Sequence, residues 1–134
     1  MITLVDSNVI LDLVTDDPQW GEWSGQALSR AADESPLAIN PLIFAEVSIG
    51  FASVEELEQL LPSKDFQRLE LPYEAAFLAG KAFLAYRRRG GSRRAPLADF
   101  YIGAHAAVAR MRLLTRDPRR YRTYFPSVEI VAPE

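Results

Sequence analysis

Short apolar runs alternate with longer stretches of helical spacing along the whole chain, and this alternation constrains the fold more than any other feature. Residues 2–5 form one such run, ending at Asp6, and a helical pattern follows from about Asn8 with Ile10, Leu11 and Val14 apolar. Asp16, Asp17 and Pro18 break it. Pro18 suits the start of the next helix, which carries Trp20, Trp23, Ala27, Leu28 and Ala31 at spacings of three and four. Residues 37–39 read as a second strand, and Asn40 and Pro41 as the N-cap and first position of a helix through about residue 51. Ser53 caps a short amphipathic helix to residue 61, and residues 66–71 alternate as a third strand. Tyr73, Phe77, Gly80 and Leu84 share one stripe of a long helix. A helix over about 97–110, a strand at 113–115, a short helix from Pro118 and a strand at 128–131 complete the pattern. Strands joined by helices predict an α/β fold, a mostly parallel sheet with helices on both faces, which binds ligands beyond the carboxyl ends of its strands.

At 134 residues and 49% apolar, the chain fits one domain spanning 1–134 with a core that needs no staples. The absence of cysteine excludes disulfides, thiolate nucleophiles, zinc fingers and iron–sulfur ligation, and suits a reducing cytoplasm. The first residues have no basic region and meet Asp6 and Asp12, unlike a signal peptide, and no apolar stretch approaches the length of a membrane span. A net charge of -3 argues against holding nucleic acid by bulk electrostatics. Arginine is concentrated late, at Arg87, Arg88, Arg89, Arg93 and Arg94 and again at Arg116, Arg119, Arg120 and Arg122, whereas residues 1–29 contain no lysine or arginine.

Certain acids stand alone. Glu46 is the only ionisable side chain between Ala38 and Val54, Asp99 the only carboxylate between Ala95 and Ala109, and Asp6 the only one between Met1 and Leu11. A carboxylate amid apolar neighbours needs a partner, because an unpaired buried charge is very costly. Asp6 and Asp117 both follow predicted strands, at the edge where such sheets bind ligands, and Glu46 and Asp99 lie in helices that can reach that edge. Two carboxylates about 5 Å apart repel by roughly 3 kcal/mol at an effective dielectric of about 20, so a four-acid cluster calls for a divalent cation. All-oxygen ligation selects Mg²⁺ or Mn²⁺, which activates water and stabilises charge on phosphate oxygens. Taken singly, Asp6, Asp99 and Asp117 are equally well explained as helix-starting residues. Glu46 is not, since Leu42, Ile43, Ile49 and Gly50 around it define no polar face. Asp12, Asp16, Asp17 and Asp33 read as surface acids.

Ser7 and Asn8 place a hydroxyl and an amide beside Asp6, suited either to capping or to orienting the carboxylate. Thr115, two residues before Asp117, points to the same side of its strand and is a candidate support for the acids.

The order Asp6-Ser7-Asn8, Glu46 in a helix, Asp99 within Ala98-Asp99-Phe100-Tyr101-Ile102-Gly103-Ala104-His105-Ala106, and Leu114-Thr115-Arg116-Asp117 resembles the PIN domain. The resemblance covers nearly the whole chain, and its small size is similar to VapC toxins of type II toxin–antitoxin modules. It implies a three-layer α/β/α fold and an endoribonuclease whose four acids bind Mg²⁺ or Mn²⁺ and hydrolyse RNA phosphodiesters. It further implies a homodimer inhibited by a VapB-like antitoxin.

The five arginines of 87–94 are candidate RNA phosphate contacts, as is Arg116, and the first three equally suit a helix C-terminus. Trp20, Trp23, Leu42 and Ile43, with Phe44, are candidates for an apolar antitoxin groove, or plain core. His105, six residues after Asp99, reads as a packed or surface residue rather than a general base. A receiver-like signalling domain is disfavoured because Ser7 stands where a paired acid is needed, and a haloacid dehalogenase-type phosphatase because position 8 is Asn8. The competing readings are a catalytically silent PIN-like module that binds RNA or protein, and a nuclease directed at DNA.

Overall fold

The computed structural model describes residues 1–91 and 97–134. In chain order the elements are β1 (Thr3–Val5), α1 (Ser7–Val14), α2 (Gly21–Glu34), β2 (Leu37–Ile39), α3 (Pro41–Ser48), α4 (Val54–Leu60) and β3 (Phe66–Arg68). There follow α5 (Tyr73–Arg88), α6 (Leu97–Val108), β4 (Arg112–Leu114), α7 (Arg119–Tyr124) and β5 (Ile130–Val131). Polar side chains set several starts. Asp6 accepts from the Ser7 amide, so α1 begins at Ser7, one residue before the apolar periodicity suggests. Asn40 accepts from the Ile43 amide ahead of Pro41, and Ser53 from the Glu56 amide, as their types predict.

The five strands make one sheet in the order β3-β2-β1-β4-β5, with every adjacent pair parallel. All residues of β1 and β2 are buried, as expected where helices cover both faces. The chain runs from β1 outward through β2 and β3, then crosses back to add β4 and β5 on the other side. The order therefore reverses at β1 and β4, and the crevice beyond their carboxyl ends is where such sheets bind ligands. Val5 lies opposite Leu114, so the next residues, Asp6 and Thr115, emerge side by side at that edge.

Packing settles two points that the sequence left open. On α5 the buried face is Ala75, Ala79 and Ala82, while Tyr73 and Phe77 are 92% and 70% exposed and Leu84 is 38% exposed. The bulky stripe faces outward because small residues let α5 lie close to α6, its most extensive helical neighbour. Ile43 is fully buried in the core with Leu4, Ile39 and Leu113, so it cannot line a groove for a partner. Gly103 on α6 is a further close-approach point: a Cβ there would overlap the ring of Phe125 and crowd that of Tyr121. Among the described residues no helix is long and apolar enough to cross a membrane.

Candidate active site

Asp6, Glu46, Asp99 and Asp117 all line one cleft of about 500 Å³, joined by Ser7, Asn8 and, from α7, Arg119, Arg120 and Tyr121. Asp6 is its buried floor, 4% exposed. Its Oδ1 accepts from the Ser7 amide at 2.8 Å, and its Oδ2 from Thr115 Oγ1 and the Tyr121 hydroxyl, each at 2.9 Å. Burial pushes the Asp6 carboxyl up to about 6 against the lowering effect of the Tyr121 and Thr115 hydrogen bonds, with the charges of Asp99 and Glu46 adding to the rise. Burial and the neighbouring Asp6 charge raise Tyr121 far above the ordinary tyrosine value, so it stays protonated and remains a donor.

Thr115 is a junction. Its hydroxyl gives its one proton to Asp6 and accepts from Asn8 Nδ2 and from the Asp117 amide, both at 3.2 Å. Asn8 in turn accepts from the Arg116 amide at 3.0 Å, tying the loop after β4 to α1. Ser7 and Thr115, placed beside the acids by sequence, are thus bonded to them directly: Ser7 Oγ donates to Glu46 Oε1 at 3.0 Å.

Glu46 is half-buried on α3, and Asp99 lies in the first turn of α6 with Arg120 Nη1 on its Oδ2 at 2.7 Å. Burial raises both carboxyls above their ordinary values. Asp99 adds to the rise at Glu46, Arg120 opposes it at Asp99, and Asp117 adds a further upward push there. Asp117 is exposed at the cleft mouth. Asp6, Glu46 and Asp99 are thus each raised in part by the charge of a neighbouring acid. Among the described residues, no three carboxylates or imidazoles are gathered tightly enough to enclose a bare ion. An all-oxygen donor set of mutually repelling carboxylates nevertheless suits a hard divalent cation that keeps part of its water shell, as Mg²⁺ does.

Other sequence candidates fall elsewhere. Asp12 is not a surface acid: it is 2% exposed, accepts from Ser24 Oγ at 2.7 Å and pairs with Arg116 Nε at 2.9 Å. Arg116, expected at RNA, is engaged by that pair and by the Trp20 ring 5.9 Å away. Arg89 lies 5.3 Å from the ring centroid of Tyr124, which lines the cleft, while Arg87 rests on Phe83 and Arg88 is exposed. Arg93 and Arg94 lie outside the described residues. Trp23 packs partly against the core and lines a small recess with Gln26, Arg30 and Val131, and Leu42 is half-buried. His105 is buried, its Nδ1 3.1 Å from Asn40 Nδ2, and bridges α6 to the cap of α3. Tyr121 and Arg120 were not singled out by sequence; both sit in an Arg-Arg-Tyr-Arg run in which no single residue stands apart.

A parallel α/β sheet with carboxylates collected at its switch-point crevice defines the class of protein. The PIN domain family model matches residues 3–126, and the chain belongs to that family. No curated protein matches the chain by sequence. Among solved structures, the fold is similar to a chain of VapBC2 from Rickettsia felis bound to a promoter DNA fragment, with a TM-score of 0.75, 16% identity and 100% of each chain covered. It is also similar to VapBC-1 from nontypeable Haemophilus influenzae, with a TM-score of 0.74, 16% identity and 98% of each chain covered. FitAcB from Neisseria gonorrhoeae gives a TM-score of 0.71 at 20% identity, over 97% of this chain and 96% of that one.

Proposed function

We propose that this single domain is a metal-dependent endoribonuclease that hydrolyses RNA phosphodiester bonds as the toxin of a VapBC-like toxin–antitoxin pair. The observation that carries the reading is the meeting of Asp6, Glu46, Asp99 and Asp117 in one cleft at the edge where the strand order reverses. These four are the residues that would hold Mg²⁺ or Mn²⁺. When bound, such an ion activates a water at neutral pH and offsets charge on the phosphate oxygens. The chain's own groups prepare the site. Tyr121, Thr115 and the Ser7 amide fix the Asp6 carboxylate in one orientation, and Ser7 Oγ holds one oxygen of Glu46. Arg120 holds one oxygen of Asp99, and neither that bond nor the Ser7 bond uses the second oxygen of its carboxylate.

Similarity in fold to chains of VapBC structures supports a VapB-like antitoxin as partner. The exposed Tyr73, Phe77 and Leu84 of α5 support a homodimer, since an apolar stripe of that kind favours burial against a second chain. With RNA as substrate, the working compartment is the cytoplasm.

The test is cleavage of RNA by the purified protein with Mg²⁺ or Mn²⁺, with EDTA, and with Asp99→Ala purified in parallel. Cleavage should need the cation and disappear in the variant. Equal behaviour of the folded wild type and variant would replace this reading with a PIN-like binding module.

A further inference from the structure

We propose that Arg120 is a substrate-binding residue that holds an RNA phosphate beside Asp99; the assignment rests on the nuclease reading. An incoming phosphodiester carries the same sign of charge as the four carboxylates, and a molecule of net charge -3 offers no general attraction. A bound cation offsets part of this, and any further positive charge beside the acids has to come from the chain itself. Among the described residues the arginines lining the cleft are Arg119 and Arg120, both from α7.

Arg120 is the one held in place. Its guanidinium carbon lies 5.3 Å from the ring centroid of Tyr86 and 5.5 Å from that of Phe100, while Nη1 meets Asp99 Oδ2 at 2.7 Å. The two rings are themselves packed 5.3 Å apart, so groups from α5 and α6 grip a side chain from α7. Its side chain is still 30% exposed. A guanidinium has five donors in a planar fork, and the bond to Asp99 uses one edge of it. The fork can therefore serve a carboxylate and a phosphate oxygen together, and the aromatic seat removes the freedom that makes surface arginines weak binders. A purely structural ion pair tying α6 to α7 makes a different forecast, because it has no stake in RNA affinity.

The experiment uses Glu46→Gln as a slowly cleaving parent and adds Arg120→Gln or Arg120→Lys. Binding of a labelled single-stranded RNA of mixed sequence is followed by fluorescence anisotropy with Mn²⁺ over a series of KCl concentrations. Mn²⁺ binding is followed separately by calorimetry. Arg120→Gln should weaken RNA binding on the order of tenfold and flatten the log–log salt dependence by about 0.7. Arg120→Lys should keep the slope and lose part of the affinity, since one ammonium cannot serve both oxyanions as a fork does. Mn²⁺ affinity should hold or rise. Unchanged RNA affinity and slope in a parent that binds RNA would overturn the assignment while leaving the nuclease reading standing. RNA and Mn²⁺ affinity falling together would also overturn it, because Arg120 would then act through the acids alone. A wild type that neither binds nor cleaves RNA overturns both. Should Arg120→Gln fail to fold by circular dichroism, the lysine variant decides alone, and RNA affinity equal to the parent's sinks the proposal.

Discussion

The Tyr121 hydroxyl donates to Asp6 Oδ2 at 2.9 Å, linking α7 to the residue that follows the first strand and caps α1. This bond stabilises the ionised form of a carboxylate that burial pushes toward neutrality. Tyr121→Phe should therefore raise the Asp6 carboxyl further, by about one unit, since a hydrogen bond to a charged group contributes roughly 1.5–3 kcal/mol before any solvent replacement. The pH at which Mn²⁺ binding reaches half its plateau should move upward by that amount. An unmoved midpoint would show that water replaces the hydroxyl fully.

Apparent Mn²⁺ affinity of the unaltered protein should itself depend on pH. Cation and proton compete for Asp6, whose carboxyl lies at about 6 through burial, and for Glu46 and Asp99, which are raised in the same direction. Affinity should be level above that range and fall as pH drops through about 6, with protons released on binding. Calorimetry in buffers of different ionisation enthalpy measures the release directly, and a proton count of zero at pH 6 would refute the prediction.

Asp12 should matter for stability and not only for solubility. It joins Ser24 on α2 to Arg116 in the loop leading to Asp117. Asp12→Ala leaves Ser24 without its buried acceptor and Arg116 without its partner. With Arg116 partly solvated, the cost is set at roughly 2–3 kcal/mol rather than the full value for a buried pair. Urea unfolding monitored by Trp20 and Trp23 fluorescence tests this, and a loss under about 0.5 kcal/mol, the size of an ordinary surface change, would contradict it.

Gly103→Ala should couple stability to the site. The added Cβ would overlap the Phe125 ring and crowd the Tyr121 ring at 3.0 Å, and overpacking of this kind costs about 1–3 kcal/mol. Because Tyr121 also holds Asp6, cleavage should fall by more than the lost stability explains at temperatures where the variant is fully folded. Unchanged cleavage and melting temperature would mean that α7 yields without disturbing Asp6.

His105 gives a sign-specific pH effect. Burial lowers it from its ordinary 6.5, and its Nδ1 is bonded to Asn40. The unfolded chain binds this proton more readily, so the group's contribution to stability is present above about 6.5 and is lost as pH falls below it. Asp6 works in the opposite sense at acid pH, so the clean measurement is the difference between wild type and His105→Gln, in which Asp6 cancels. Wild type should lose stability relative to the variant as pH falls from about 7.5 to about 5.5, roughly one unit either side of the ordinary histidine value; parallel curves would refute the assignment.

Much of the layout was legible in the sequence because isolation among apolar residues is a local property: Glu46, Asp99 and Asp6 stand alone, and they line one cleft. The α/β alternation likewise predicts parallel pairing, although strand order comes only from tertiary structure. Asp12 looked like a surface acid because its partners lie 12 and 104 residues away. The stripe of Tyr73, Phe77 and Leu84 was visible because those residues are large, yet close helix packing selected Ala75, Ala79 and Ala82. Tyr121 gave no signal, and Arg120 stood out only as one of several late arginines, since the phase of a helix as short as α7 is set by what it packs against.

The register that sets Asp6 beside Thr115 also orders events during synthesis. Asp6, Glu46 and Asp99 are made first, but the two hydroxyls that donate to Asp6, from Thr115 and Tyr121, and Asp117 itself belong to the stretch after residue 114. A growing chain that has not yet released this stretch from the ribosome carries three of the acids without the fourth, so the cleft stays incomplete until nearly the whole domain has emerged and β4 has docked against β1.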